Sequence, residues 1–151
     1  GAKRQIIGVY DKKLLNTFST VAKNLEMEHV MVVHGDDGLD EISISGPTQI
    51  SEYKNYKIEE YTISPQEFGI TTSPFEEISA QSSEQSLRMV QEAFSGEQSA
   101  VQDMIALNAG AGLYIARKVD SIPDGVELAF TLMNNGKAAD KLAAYVRVSN
   151  S

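Results

Sequence analysis

Cysteine and tryptophan are both absent from this 151-residue chain, proline occurs only four times, and aromatic residues make up 7%. Without cysteine there is no disulfide framework, no thiolate nucleophile and no cysteine-bearing zinc site, a composition that suits a reducing compartment. Basic residues are also few, 13 Lys and Arg against 21 Asp and Glu, for a net charge of −8. They are scattered, so no cationic face offers itself to a nucleic acid or an anionic membrane, either of which needs clustered Lys and Arg. No apolar run approaches the roughly 18 residues of a membrane span, and no signal-peptide pattern opens the chain. A cytoplasmic protein with no nucleic-acid or membrane partner is therefore expected.

What is present is 42% apolar content, enough for the core of one ordinary domain. The chain opens at Gly1 without methionine and enters an apolar run within a few residues, so we expect part of a longer protein. Two short apolar runs, Gln5 to Val9 and Val30 to Val33, read as strands covered on both faces. Between them Asp11 is a plausible N-cap, and Leu14, Leu15, Phe18, Val21, Ala22 and Leu25 recur at helical spacing. Strand, helix and strand at this spacing make a βαβ unit with parallel strands, which puts the loop beginning at His34 at the carboxyl end of a parallel sheet.

From Glu41 the pattern alternates, with Ile42 and Ile44 opposite Ser43 and Ser45, which predicts a half-buried strand ending at Gly46-Pro47. Thr48 to Tyr53 and Lys57 to Ile63 form an expected antiparallel hairpin; Asn55 suits a left-handed turn position and Tyr56 does not. Ser64 to Ser79 reads as a connector without periodicity. The remainder reads as four helices, three of them opened by capping-box patterns at Ser82 with Gln85, Ser99 with Gln102 and Ser121 with Asp124. Their expected apolar faces are Leu87, Val90 and Phe94; Val101, Met104, Ile105 and Asn108; Val126, Ala129, Phe130 and Met133; and Leu142, Tyr145 and Val146. Gly110 and Gly112 inside the second of these helices point to close packing, since each costs about 0.8 to 1 kcal/mol relative to Ala. The fold class is α/β: parallel strands, an antiparallel hairpin and a helical C-terminal region.

The loop HGDDGLDE, His34 to Glu41, concentrates the chemistry. Asp36, Asp37, Asp40 and Glu41 place four carboxylates within six residues, a cluster that repels itself unless a cation is near. Magnesium commonly takes one or two carboxylates and completes its shell with water and phosphate oxygens. Ligands of open α/β sheets also gather outside the carboxyl ends of strands. A solvated acidic turn remains the alternative on these residues alone, and since a strand would point Asp40 and Glu41 to opposite faces, both can serve one site only if Asp40 is still in the loop or each reaches a different ion. The spacing excludes an EF-hand, and His29 and His34 lack the pattern of a zinc site. His34 is expected to be a hydrogen-bonded residue at a strand end, and Asn108 a buried hydrogen-bonding residue that fixes packing. Neither Ser43 nor Ser45 has a base beside it in sequence.

Taken together, GAKRQIIGVYD, VVHGDDGLDEISISGPT, EYTISPQEFGI, NAGAGLYIARKVDSIPDGVELA and GKAADKL resemble the C-terminal part of the anthranilate phosphoribosyltransferase family, over essentially the whole chain. The resemblance implies a magnesium-dependent pentosyltransferase that joins anthranilate to phosphoribosyl pyrophosphate and releases pyrophosphate, in tryptophan biosynthesis. The family's Leu-Asp-Glu block falls on Leu39, Asp40 and Glu41, so Asp40 and Glu41 inherit the metal-coordinating role. The family's GTGGD phosphate loop, its KHGNR segment, an anthranilate-holding arginine and the helical N-terminal domain used in homodimers have no counterpart in residues 1 to 151. The resemblance therefore implies a partial phosphoribosyltransferase α/β domain that is inactive alone and self-associates through an uncovered sheet edge. A pyrimidine-nucleoside phosphorylase-like relative and a non-catalytic binding module of the same fold are the alternatives.

Overall fold

The computed structural model describes residues 1–150. Four strands form one sheet in the order β1 (Arg4–Gly8), β2 (His29–Gly35), β3 (Thr48–Lys54) and β4 (Lys57–Ile63). β1 and β2 are parallel, in the register Ile6 to Met31, and are joined through helix α1 (Leu15–Asn24); β3 is antiparallel to both of its neighbours, β2 and β4. Helices α2 (Ser83–Phe94), α3 (Ala100–Ile115), α4 (Ile122–Asn134) and α5 (Lys137–Ser149) follow. The connector Ser64 to Ser79 contains only two short 3-10 turns, Pro65–Phe68 and Phe75–Glu77.

Alternation along β2 divides the core. Val30 and Val32 point to one face, where they pack with Val9, Leu15, Ala22 and Tyr53. Met31 and Val33 point to the other, among Ile42, Ile44, Ile50, Leu107, Ala111 and Val126. Because both faces are covered, β2 is apolar throughout its centre, as its sequence requires. β1 departs from that expectation: Arg4 to Ile7 are only half-buried and Gly8 is exposed, because it is an edge strand with β2 as its single neighbour. It also ends at Gly8 rather than Val9, although the Val9 N–H still donates to the Val33 carbonyl at 3.0 Å.

Several other expectations are corrected. Asp11 caps a 3-10 turn, Lys12–Leu14, that leads into α1, its carboxylate accepting from the Lys13 N–H at 2.9 Å. Only Leu15 and Ala22 of the expected α1 face are buried, while Phe18, Val21 and Leu25 are 38%, 47% and 65% exposed. In α3 the buried residues are Gln102, Ala106, Leu107, Gly110, Ala111 and Ile115, with Val101, Met104 and Ile105 only half-buried, because this helix is apolar nearly all round and meets both α4 and the sheet. Ser82, Ser99 and Ser121 each cap their helix, yet the reciprocal arm of the capping box is used elsewhere. Gln102, for example, donates to the Ala93 carbonyl and to Asn134. A reciprocal bond from a backbone N–H to the third residue occurs instead in the connector, from Ser64 to Glu67 Oε1 at 2.7 Å.

Gly110 and Gly125 bring α3 and α4 into backbone contact. A Cβ on Gly125 would lie 2.2 Å from the Gly110 carbonyl oxygen, and one on Gly110 would lie 2.6 Å from the Val126 nitrogen. The close packing expected of this segment is thus met at Gly110, whereas Gly112 faces open space. Among the described residues no helix is long and apolar enough to cross a membrane.

Candidate metal centre

The strand expected over Glu41 to Ser45 does not form. Residues 40–47 are irregular, although Ile42 and Ile44 are fully buried as the alternation required. The backbone finds partners other than a neighbouring strand. The Asn108 side chain of α3 accepts from the Ile42 N–H at 3.0 Å and donates to the Ile42 carbonyl at 2.8 Å. The Ser43 N–H donates to Thr48 Oγ1 at 2.9 Å, and the Ile44 carbonyl accepts from the Ser73 N–H at 3.1 Å. Ser43, between the two isoleucines, is buried as well, so the burial is not that of a half-buried strand, and side chains take the place of a ladder.

The loop is folded by its own acidic residues. Asp36 Oδ1 accepts from Gln49 at 2.7 Å; Asp37 accepts from Ser43 Oγ at 2.5 Å and from the Leu39 N–H at 3.1 Å. The Gly35 N–H donates to the Leu39 carbonyl at 2.8 Å, closing the turn. The first two carboxylates are therefore structural. Asp40 and Glu41 are different: both are exposed and irregular in backbone, and neither makes an ion pair or hydrogen bond through its carboxylate among the described residues. Since neither lies in a strand, the obstacle to both serving one ion disappears. Two free carboxylates suit magnesium, which needs few protein ligands when water and phosphate complete its shell. Among the described residues no group of three or more His, Cys, Asp or Glu side chains could hold a metal ion by itself.

Gly8 was not singled out by its sequence, yet it governs this loop. A Cβ there would fall 1.6 Å from the Asp40 carbonyl oxygen, so only glycine lets β1 pass the loop backbone. Its place inside an apolar strand run was the available signal. His34 is the hydrogen-bonded strand-end residue expected: Nδ1 lies 2.8 Å from the Val9 carbonyl. A carbonyl only accepts, so Nδ1 carries the proton, which leaves Nε2 as an acceptor in the neutral ring. Ser43 Oγ donates to Asp37 Oδ2 and accepts from the Ser45 N–H, so folding puts a carboxylate beside Ser43 that its sequence neighbours did not suggest, and the bond serves to close the loop.

A second polar cluster lies at the far end of the sheet. Glu52, on β3, meets His29 Nε2 at 2.5 Å, the Tyr61 hydroxyl at 2.7 Å and the Tyr114 hydroxyl at 2.9 Å. Lys54 donates to the Tyr114 hydroxyl at 3.0 Å. Burial pushes the Glu52 carboxyl up, but the hydrogen bonds from His29, Tyr61 and Tyr114 and the His29 charge outweigh it and hold the carboxyl below its ordinary value. Burial and the bond to Glu52 push the Tyr61 hydroxyl well up. With every member paired, this cluster ties β2, β3, β4 and α3 together and takes no part in the loop's chemistry.

With this geometry in view, the likeness to known proteins is decisive. Residues 1–139 match the family model described as glycosyl transferase family, a/b domain. The chain belongs to that glycosyl transferase family. Among curated relatives of this glycosyl transferase segment, the anthranilate phosphoribosyltransferase of Halorhodospira halophila is 43% identical over 146 residues, covering 97% of this chain and 43% of the relative. That of Nitrosomonas eutropha is 39% identical over 150 residues, covering 99% and 44%. The chain thus spans less than half the length of these relatives. The crystal structure of anthranilate phosphoribosyltransferase from Thermus thermophilus superposes with a TM-score of 0.84 at 29% identity, covering 95% of this chain and 42% of that one. The Saccharomyces cerevisiae enzyme in complex with PRPP and Mg gives a TM-score of 0.83 over 97% of this chain and 43% of its own; at 22% identity it supports the fold alone.

Proposed function

We propose that this chain is part of the α/β domain of an anthranilate phosphoribosyltransferase and supplies its magnesium-binding loop through Asp40 and Glu41. The observation that carries the metal assignment is the division of labour within the loop. Asp36 and Asp37 are consumed in folding it, while the two carboxylates that the family resemblance singles out are left exposed and free. Relatives named for this activity at 43% and 39% identity support the same substrates here.

In that role Asp40 and Glu41 would hold the ion, and magnesium bound there would supply neutralisation of charge on the pyrophosphate leaving group. The chain itself provides rigidity: β1 and β2 present the loop at their carboxyl ends, and Gly8 lets the Asp40 backbone seat against β1. Positioning and electrostatics are enough for attack by an amine on the anomeric carbon. The anthranilate and ribose contacts belong to the remainder of the protein, so residues 1–151 alone are expected to be inactive and cytoplasmic, and the whole enzyme a homodimer.

The test is a steady-state assay of the full-length protein carrying this segment, with anthranilate and phosphoribosyl pyrophosphate set against a pyrimidine nucleoside and phosphate. Formation of phosphoribosyl anthranilate with release of pyrophosphate is expected. Nucleoside phosphorolysis in its place would overturn the assignment, as would turnover by the 151-residue chain alone at the rate of the whole enzyme.

A further inference from the structure

The Asn108 side chain stands where a strand neighbour would be. It engages both backbone polar groups of Ile42, the residue directly after Glu41, across 66 residues of sequence. Its second amide proton goes to the Met104 carbonyl one turn earlier in α3, at 3.0 Å. Both amide protons are thus used and the oxygen accepts from the Ile42 N–H, so flipping the amide would set donor against donor and acceptor against acceptor. The orientation is therefore fixed by its partners.

On the other side of Glu41, the Asp40 carbonyl oxygen sits so close to Gly8 that no Cβ could be inserted. The pair Asp40-Glu41 is consequently held at both ends, by β1 on one side and by α3 on the other, while its own side chains remain free. The helix that carries Asn108 is in turn located by the Gly110 to Gly125 contact with α4. A loop whose backbone is fixed and whose carboxylates are uncommitted can present two oxygen ligands with little ordering cost when an ion arrives, which is how supporting residues raise metal affinity.

We infer that Asn108 is a positioning residue for the magnesium loop, acting through the Ile42 backbone to hold the Asp40-Glu41 carboxylates in their binding arrangement. This rests on the metal assignment proposed above and adds to it a residue from the helical half of the chain that does not itself touch the ion.

The experiment is a Mn²⁺ titration followed by electron paramagnetic resonance, with pyrophosphate present, on the full-length protein carrying this segment. Asn108→Ala is expected to weaken Mn²⁺ binding about tenfold, the lower end of what loss of a supporting partner does to a metal site. Asn108→Asp keeps the acceptor for the Ile42 N–H and loses the donor to its carbonyl, so it should fall between the wild type and Asn108→Ala, and it serves if the alanine variant does not fold. Ile115→Ala, a core truncation about two turns further along the same helix, controls for lost stability and should keep the wild-type Mn²⁺ affinity. Wild-type affinity in both Asn108 variants, or equal weakening by Ile115→Ala, overturns the positioning role. The metal assignment fails separately, if Asp40→Asn with Glu41→Gln leaves Mn²⁺ binding unchanged.

Discussion

Tyr56 holds a φ of 64° beside Asn55 at 52°, the two central residues of the hairpin between β3 and β4, and its side chain is 85% exposed. A left-handed conformation costs a residue with a Cβ roughly 1 to 2 kcal/mol, and no burial of the ring offsets it. Tyr56→Gly is therefore expected to stabilise the chain by up to about 1 kcal/mol after the extra chain entropy of glycine is allowed for, read from the urea midpoint. An unchanged or lowered midpoint would contradict this reading. Glu52 makes a prediction of another kind. Its folded carboxyl is held below the ordinary value of 4.5. The unfolded chain then binds the proton more tightly, so this stabilisation is present above that value and is lost as pH falls through the folded one. Urea midpoints from about pH 6 down to pH 3 should fall less steeply for Glu52→Gln than for the wild type; parallel curves would show that the cluster does not drive acid unfolding. Individual residues were unevenly legible. His34 and Asn108 could be read as hydrogen-bonding residues, and Tyr56 as a poor turn residue, because backbone chemistry is local. Gly8 was not, because its reason is a loop 32 residues away.

Periodicity identified β1, α1, β2, the hairpin and all four C-terminal helices, and it failed where burial and backbone geometry part company. Residues 42 and 44 are buried like strand residues with no strand present, because Asn108, Thr48 and Ser73 supply the hydrogen bonds. Phe18, Val21 and Leu25 have the spacing of a core face but lie outside the packed edge of α1, since a single helix covers its side of a four-stranded sheet only in part. Between α3 and α4 the outcome is sharper. Gly125→Ala must separate two backbones or distort one of them, and overpacking of that kind costs about 1 to 3 kcal/mol. Gly112→Ala, on the open side of α3, should instead stabilise by about 0.8 to 1 kcal/mol through helix propensity. Equal effects of the two alanines, measured by chemical denaturation, would contradict the packing described here.

For the molecule as a whole, the chain covers 43% of the Halorhodospira relative, and β1 lies at a sheet edge with half-buried residues. An uncovered edge strand next to the exposed stripe of α1 is a template for pairing. Sedimentation of residues 1–151 should show association that grows with concentration, and a monomer at all concentrations would contradict that expectation. The family was legible because its motifs run through nearly the whole chain, and the loop proposed to bind the metal is one compact stretch of them. The loop's support was not, since it comes from a glycine in β1 and an amide in α3 that only folding brings together. The most direct test of the loop's role is the magnesium dependence of phosphoribosyl transfer by the full-length protein, compared with the Asp40→Asn, Glu41→Gln double variant. The magnesium concentration for half-maximal rate should rise at least about tenfold in the variant, as for loss of a metal's supporting groups; an unchanged magnesium dependence with an unchanged rate would contradict the account.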